Sequence, residues 1–175
     1  MDALIKLSFF IRDLDLQLEQ LHEEQPANFQ KSFTIFRGQG LSKKDLQSLS
    51  NSKNGLLSLN NFLSSSIKGD MAIGFVQDAL HTNASTMDII FLMTIDPNKT
   101  LTSTTRLVMF DVYSALPQEK ETLFVMHDIF RVSNIKQTIK NNHLWEVQLT
   151  VTSDSDPQLA GLANRIKKDL CGSSE

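Results

Sequence analysis

A chain of 175 residues with one cysteine, one tryptophan and one tyrosine lacks what small disulfide-bonded or zinc-bound domains are built from. The lone Cys171 excludes an internal disulfide framework, and four scattered histidines beside it give no zinc-ligand spacing, so no metal is expected. Neither sign of charge dominates: seventeen Lys and Arg stand against twenty Asp and Glu, for a net charge of -3. That balance lacks the basic excess needed to grip a phosphate backbone, so nucleic acid is not an expected partner. No apolar run approaches the roughly 20 residues that span a bilayer. The apolar opening Met1 to Ile11 is interrupted by Asp2 and Lys6. It leads into Arg12, Asp13 and an acidic helical pattern, not a small-residue cleavage site. Neither a membrane segment nor a secretory signal is expected, and the expected compartment is the cytoplasm. What is present is ordinary for a folded domain: 41% hydrophobic and 21% charged residues, at a length that buries a core unaided.

The order of hydrophobic periods sets the class. Leu4, Leu7, Ile11, Leu14, Leu18 and Leu21 recur at helical spacing and predict a helix over residues 2 to 24, ended by Pro26. SFTIF, residues 32 to 36, reads as a strand closed by a Gly-Gln-Gly turn after Arg37. Ser42, with Asp45 three positions on, reads as the N-cap of a short helix to Leu49. Asn54-Gly55 breaks that helix, and LLSLNNFLS continues in extended form. Residues Asp70 to Leu80 read as a helix with Met71, Phe75 and Ala79 on one face and Ala72, Val76 and Leu80 beside them. The period then changes to two. Strands are expected at Met87–Ile95, Glu121–Met126, Ile129–Val132 and Leu144–Val151, and a last helix at Leu159–Leu170. Helices in front and strands behind predict α+β rather than alternating βαβ units.

Three polar stretches interrupt this apolar patterning. In FRGQG, residues 36 to 40, an arginine at a strand end is followed by glycines that let an anion approach the backbone. An arginine paired with a surface carboxylate reads the same way. NNFLSSS, residues 60 to 66, sets three hydroxyls after an apolar strand, where serines also serve as ordinary loop residues. In PQEKETLF, residues 117 to 124, Glu119 and Glu121 are two apart at a strand entrance, so a period of two puts both carboxylates on one face. Like charges crowded beside a core are hydrogen-bonded, solvated or functional.

In this order and spacing, Phe36-Arg37-Gly38, Phe62-Leu63-Ser64-Ser65-Ser66 and Glu119-Lys120-Glu121-Thr122-Leu123-Phe124 resemble the Arg–Ser–Glu class of mono-ADP-ribosyltransferases. The likeness extends through the flanking SIKGDMAIGF and HDIFRV and covers about Phe33 to Thr152. It looks closest to the eukaryotic arginine-specific branch, which includes transferase domains preceding tetratricopeptide repeats. The resemblance implies an α+β ADP-ribosyltransferase-like fold: two packed, mainly antiparallel sheets flanked by N-terminal and intervening helices. It implies one domain over 1–175, with a helical segment at 1–30, a catalytic core at 31–152 and a C-terminal helix at 153–175. It leaves room for further domains beyond.

It further implies NAD as co-substrate, bound without a glycine-rich Rossmann fingerprint, and a protein acceptor with an accessible arginine. By resemblance Glu121 stabilises an oxocarbenium-like transition state and Glu119 orients the incoming guanidinium. Arg37 anchors NAD, the Gly38 backbone holds the nicotinamide amide, and Ser64 supports Glu121. Ser65 stands where the family usually has threonine and keeps the hydroxyl. Lys68 stands where relatives often place an arginine against the phosphates, keeping the charge without the bidentate fork. Phe75 fits either the nicotinamide ring or a buried helix face. Tyr113, in the loop from Asp111 to Gln118, fits either the acceptor or the core. NAD hydrolysis at the same site, and a catalytically inactive interaction module, are the alternative readings.

Overall fold

A computed structural model gives the fold and describes residues 3–25, 29–59, 63–80, 86–100, 106–110, 113–124, 128–139, 141–153 and 155–171. In chain order the elements are α1 (Ala3–Glu23), β1 (Phe33–Ser42), α2 (Lys43–Asn51), β2 (Leu56–Ser58), β3 (Leu63–Ser66), α3 (Gly69–Leu80), β4 (Thr86–Ile95), α4 (Pro97–Thr100), β5 (Leu107–Met109), a 3-10 turn (Pro117–Glu119), β6 (Glu121–Phe124), β7 (Ile129–Thr138), β8 (Asn141–Val151) and α5 (Pro157–Cys171). Pro26, Phe62 and Met126, each given a place by the sequence, lie outside the described residues.

The strands form one mixed sheet in the order β2-β7-β8-β4-β1-β3-β6-β5, antiparallel except where β4 pairs β8. Two sheets were expected. The hydrogen bonding is instead continuous, but β1 and β3 meet through a single register pair, Phe36 opposite Ser66. On either side of that joint the sheet folds over. Strands β6 and β7 are five places apart, about 24 Å along a flat sheet, yet the rings of Phe124 and Phe130 meet edge-on at 5.3 Å. The two halves therefore face one another across one core that includes Ile35, Met93, Leu107, Phe124, Val132 and Leu149.

The glycines after Arg37 make no turn. Strand β1 runs straight through Gly38 and Gly40, paired with Ile90 and Asp88 of β4. Neither glycine has a positive φ, so backbone freedom is not why Gly38 is there. A Cβ at Gly38 would collide with the Ala72 carbonyl oxygen and with Val76 Cγ2, so its absence lets α3 lie against β1. The helix accordingly buries Ala72 and Val76 and turns Phe75 outward, 57% exposed. The alternative of Phe75 on the buried face is thereby corrected.

Other local expectations hold. Ser42 caps α2, accepting from the Asp45 amide at 3.1 Å, and the αL residue Asn54 (φ 65°) turns the chain before β2. LLSLNNFLS is two strands on opposite halves of the sheet, β2 beside β7 and β3 beside β6. Helix α1 buries Leu18 against Val108, and α5 starts at Pro157, capped by the Asp156 carboxylate. No helix among the described residues is long and apolar enough to cross a membrane.

Candidate active site

The joint between the halves opens into a cavity of about 250 Å³, lined by Arg37, Gly38, Ser64, Ser65, Ser66, Ala72, Phe75, Glu119 and Glu121. The three separate sequence motifs converge there because β1, β3 and β6 are consecutive neighbours in the sheet. Register does the fine placement. Ser66 lies opposite Glu121, so Ser64 is its diagonal neighbour on the same face. From there the Ser64 hydroxyl donates to Glu121 Oε1 at 2.7 Å. A hydrogen bond to a carboxylate is short and strong, and it restricts the rotamer it joins.

Arg37 emerges on the same side. Its Nη1 donates to the Ser64 carbonyl oxygen at 2.5 Å and its Nε to Gln39 Oε1 at 3.3 Å. Partial burial pushes its pKa below the usual arginine range, yet among the described residues no carboxylate lies at ion-pair distance from it. Such a half-buried cation, held only by neutral oxygens, retains capacity for an anion.

The two glutamates do not share a strand face as their spacing suggested. Glu119 ends the 3-10 turn, Lys120 takes the left-handed conformation (φ 49°, ψ 50°), and only Glu121 belongs to β6. This reversal brings Glu119 to the cavity by another route, and Ser66 secures it. The buried Ser66 hydroxyl donates to the Glu119 carbonyl oxygen at 2.5 Å and accepts from the Lys68 amide at 3.0 Å, while the Ile67 amide donates to the Lys120 carbonyl oxygen at 3.3 Å. Sequence reasoning gave Ser66 no role and did not single out Gln39. The only available signal for Ser66 was its place as the third serine.

Ser65 also lines the cavity, with its hydroxyl donating to the Leu63 carbonyl oxygen at 3.3 Å. Phe75 presents its exposed ring to the same space. Lys68 is exposed between β3 and α3 and is not among the lining residues; its contribution is its backbone amide. Tyr113 is also outside the lining, exposed and edge-on to Phe110 at 6.5 Å, which corrects the alternative that placed it in the core. Among the described residues no three His, Cys, Asp or Glu side chains gather as a metal site would require.

The folded-over sheet and its helices form an ADP-ribosyltransferase fold. The ADP-ribosyltransferase Vis, a Vibrio splendidus toxin solved in complex with agmatine, matches with a TM-score of 0.53 and 20% identity, covering 70% of this chain and 50% of Vis. HopU1 of Pseudomonas syringae pv. tomato matches at 0.52 and 16% identity, over 69% of this chain and 46% of its own. C3stau2 of S. aureus, solved with NAD, matches at 0.52 and 14% identity, over 82% of this chain and 70% of its own. The chain thus spans about half the length of Vis and of HopU1. No protein-family model and no curated protein sequence matches it.

Proposed function

We propose that the chain is a mono-ADP-ribosyltransferase that takes ADP-ribose from NAD and transfers it to an arginine of a protein, releasing nicotinamide. The observation that carries this reading is the hydrogen-bonded Ser64–Glu121 pair in one cavity with Arg37 and Glu119. Around an N-glycosidic bond that is to break with build-up of positive charge on the sugar, a preorganised carboxylate is the group of most value. The fit to NAD can be argued from the cavity itself. Its volume lies just below the roughly 300–1,000 Å³ that drug-sized ligands fill, so it suits the nicotinamide–ribose end of a dinucleotide, not the whole. Arg37 has anion capacity to spare beside it, and Gly38 is among the residues lining the same cavity.

NAD supplies an activated bond between nicotinamide and the ribose. Each residue then has a task. Glu121, oriented by Ser64, holds negative charge beside the ribose carbon. Arg37 holds a phosphate or ribose oxygen, the Gly38 backbone pairs with the carboxamide, and Phe75 covers the nicotinamide ring. Ser65 shapes the wall behind them, and Lys68 adds positive charge at the rim. Glu119, at the cavity edge, receives the acceptor guanidinium and takes its proton. Tyr113, exposed on the segment before Glu119, faces the acceptor protein. Arginine as acceptor rests on the glutamate at position 119, and Vis, with the same fold, was solved with agmatine, itself a guanidine. The motif sequences favour the eukaryotic arginine-specific branch, a cytoplasmic setting and a single transferase domain over 1–175, which leaves room for further domains. The reading includes no metal.

Incubating the protein with labelled NAD and following both free products and modified arginines tests it. Labelled arginine on a protein acceptor is the expected result. Free ADP-ribose alone would replace the transferase by an NAD glycohydrolase, and no nicotinamide release would leave an inactive module.

A further inference from the structure

A second cavity, of about 290 Å³, lies between α2 and the surface of β1, β2, β4 and β7. Its floor is apolar, with Leu41, Phe91 and Val132 among the lining residues, and Leu57 and Leu59 keep part of their surface exposed within it. Partly buried leucines in a concavity mark a place where an apolar body gains by entering. The mouth is different. Asp45, Ser48 and Ser52 are exposed there, and no lysine or arginine is among the described lining residues. The Ser48 hydroxyl already donates to the Lys44 carbonyl oxygen, and the Ser52 hydroxyl to that of Ser48, both at 3.0 Å. Their protons are committed, so toward the cavity they offer lone pairs. With the Asp45 carboxylate, the mouth is a set of acceptors.

Gln39 ties this cavity to the first. It lines the second cavity while its Oε1 accepts from Arg37 Nε. We infer that the second cavity binds a small apolar molecule bearing a protonated amine, and that its occupancy is communicated to Arg37 through Gln39. The apolar part fills the leucine-lined floor, and the ammonium donates to Asp45 and the serine oxygens. Packing against Gln39 restricts the amide that orients the Arg37 guanidinium. The link to NAD rests on the function proposed above; the site itself does not.

The test uses hexylammonium as probe, with hexanol and hexanoate as comparisons, in calorimetric titration of the whole chain without NAD. Saturable binding at about millimolar concentration is expected for a ligand of this size. Asp45→Asn should weaken it about tenfold, as loss of a charge-assisted bond does. Ser48→Phe and Ser52→Phe, both at exposed positions, should each fill the mouth and abolish it with the circular dichroism spectrum unchanged. The Arg37 Nε–H resonance should shift as the probe binds, and the shift should vanish in Gln39→Leu. Saturating NAD should leave the probe bound. Equal binding of hexanoate, or undiminished binding in Asp45→Asn and both phenylalanine variants, would overturn the site. A silent Arg37 resonance would overturn the coupling, and displacement by NAD would make the cavity part of the dinucleotide site. Failure to bind NAD in a separate titration would count against the proposed function alone.

Discussion

Ser64 serves the site through two different atoms: its hydroxyl holds Glu121 and its carbonyl oxygen holds Arg37. The distinction separates what a mutation removes. Ser64→Ala keeps the carbonyl and loses only the bond to Glu121, worth roughly 1.5–3 kcal/mol when the partner is charged. Under the proposed reading kcat should fall about tenfold or more, with NAD affinity little changed. Glu121→Gln keeps the shape and removes the charge, so nicotinamide release should fall on the order of 10²-fold or more in a folded protein. Wild-type turnover in that variant would end the mechanism. Arg37→Ala should raise the Kd for NAD, measured by titration calorimetry, because it removes an anchor on a non-reacting part of the molecule. These three residues were legible in the sequence because each is a chemically distinctive type at a fixed distance from the next motif. Ser66 was not, since its partner is the carbonyl oxygen of Glu119, and any residue at that position would offer one.

At the scale of elements, periodicity disclosed the longer helices and strands, but not the short β5 and α4 and not how the elements roll against one another. Helix α3 shows the difference. Its apolar positions fit two faces, and the choice falls to Ala72 and Val76 because Gly38 leaves space for them on β1. That choice turns Phe75 to the cavity. Gly38→Val should therefore act in two ways, destabilising the fold by about 1–3 kcal/mol through overpacking and displacing α3 so that NAD binding weakens. Urea unfolding and NAD titration of one preparation check both effects; normal stability would show that α3 does not need the contact. Helix α5 offers a test by pH. Its capping residue Asp156 accepts from Arg131 Nη2 at 2.5 Å, and this bond, ahead of two backbone amides, holds its carboxyl below the usual range. A carboxyl with a lowered folded pKa adds stability above its unfolded value of about 3.9, and that stability is lost as pH falls through the folded value. Arg131→Met should lower the urea midpoint at pH 7, and the gap from wild type should narrow at pH 3. A gap that persists at pH 3 would assign the effect to packing or to the bond from Arg131 to the Asn54 carbonyl oxygen.

For the whole molecule, the consequence of folding one sheet upon itself is that the site sits at the joint, where β1 and β3 share a single pair and the two halves diverge. No local pattern announces that joint, because it depends on Phe36 meeting Ser66 across twenty-nine intervening positions and on the core that Phe124 and Phe130 close from opposite halves. The spacing of Glu119 and Glu121 was legible, but the reason for their convergence was not: Lys120 adopts a left-handed conformation, and the neighbouring turn is bonded to the Ser66–Lys68 segment across the fold. That geometry gives the two carboxylates separate supports, Glu121 through Ser64 and Glu119 through its own backbone. Separate supports predict separable functions. Glu119→Gln keeps the backbone bond to Ser66 and removes only the charge that would hold and deprotonate a guanidinium. Modification of agmatine or of protein arginine should collapse, while NAD hydrolysis to free ADP-ribose continues at a substantial level. Glu121→Gln should lose both, since transfer and hydrolysis break the same bond beside the same carboxylate. Measuring both products for both variants at saturating NAD keeps binding defects from appearing as chemical ones. Equal loss of transfer and hydrolysis in Glu119→Gln would mean that the carboxylates act as one unit, and the case for arginine as acceptor would fall with it.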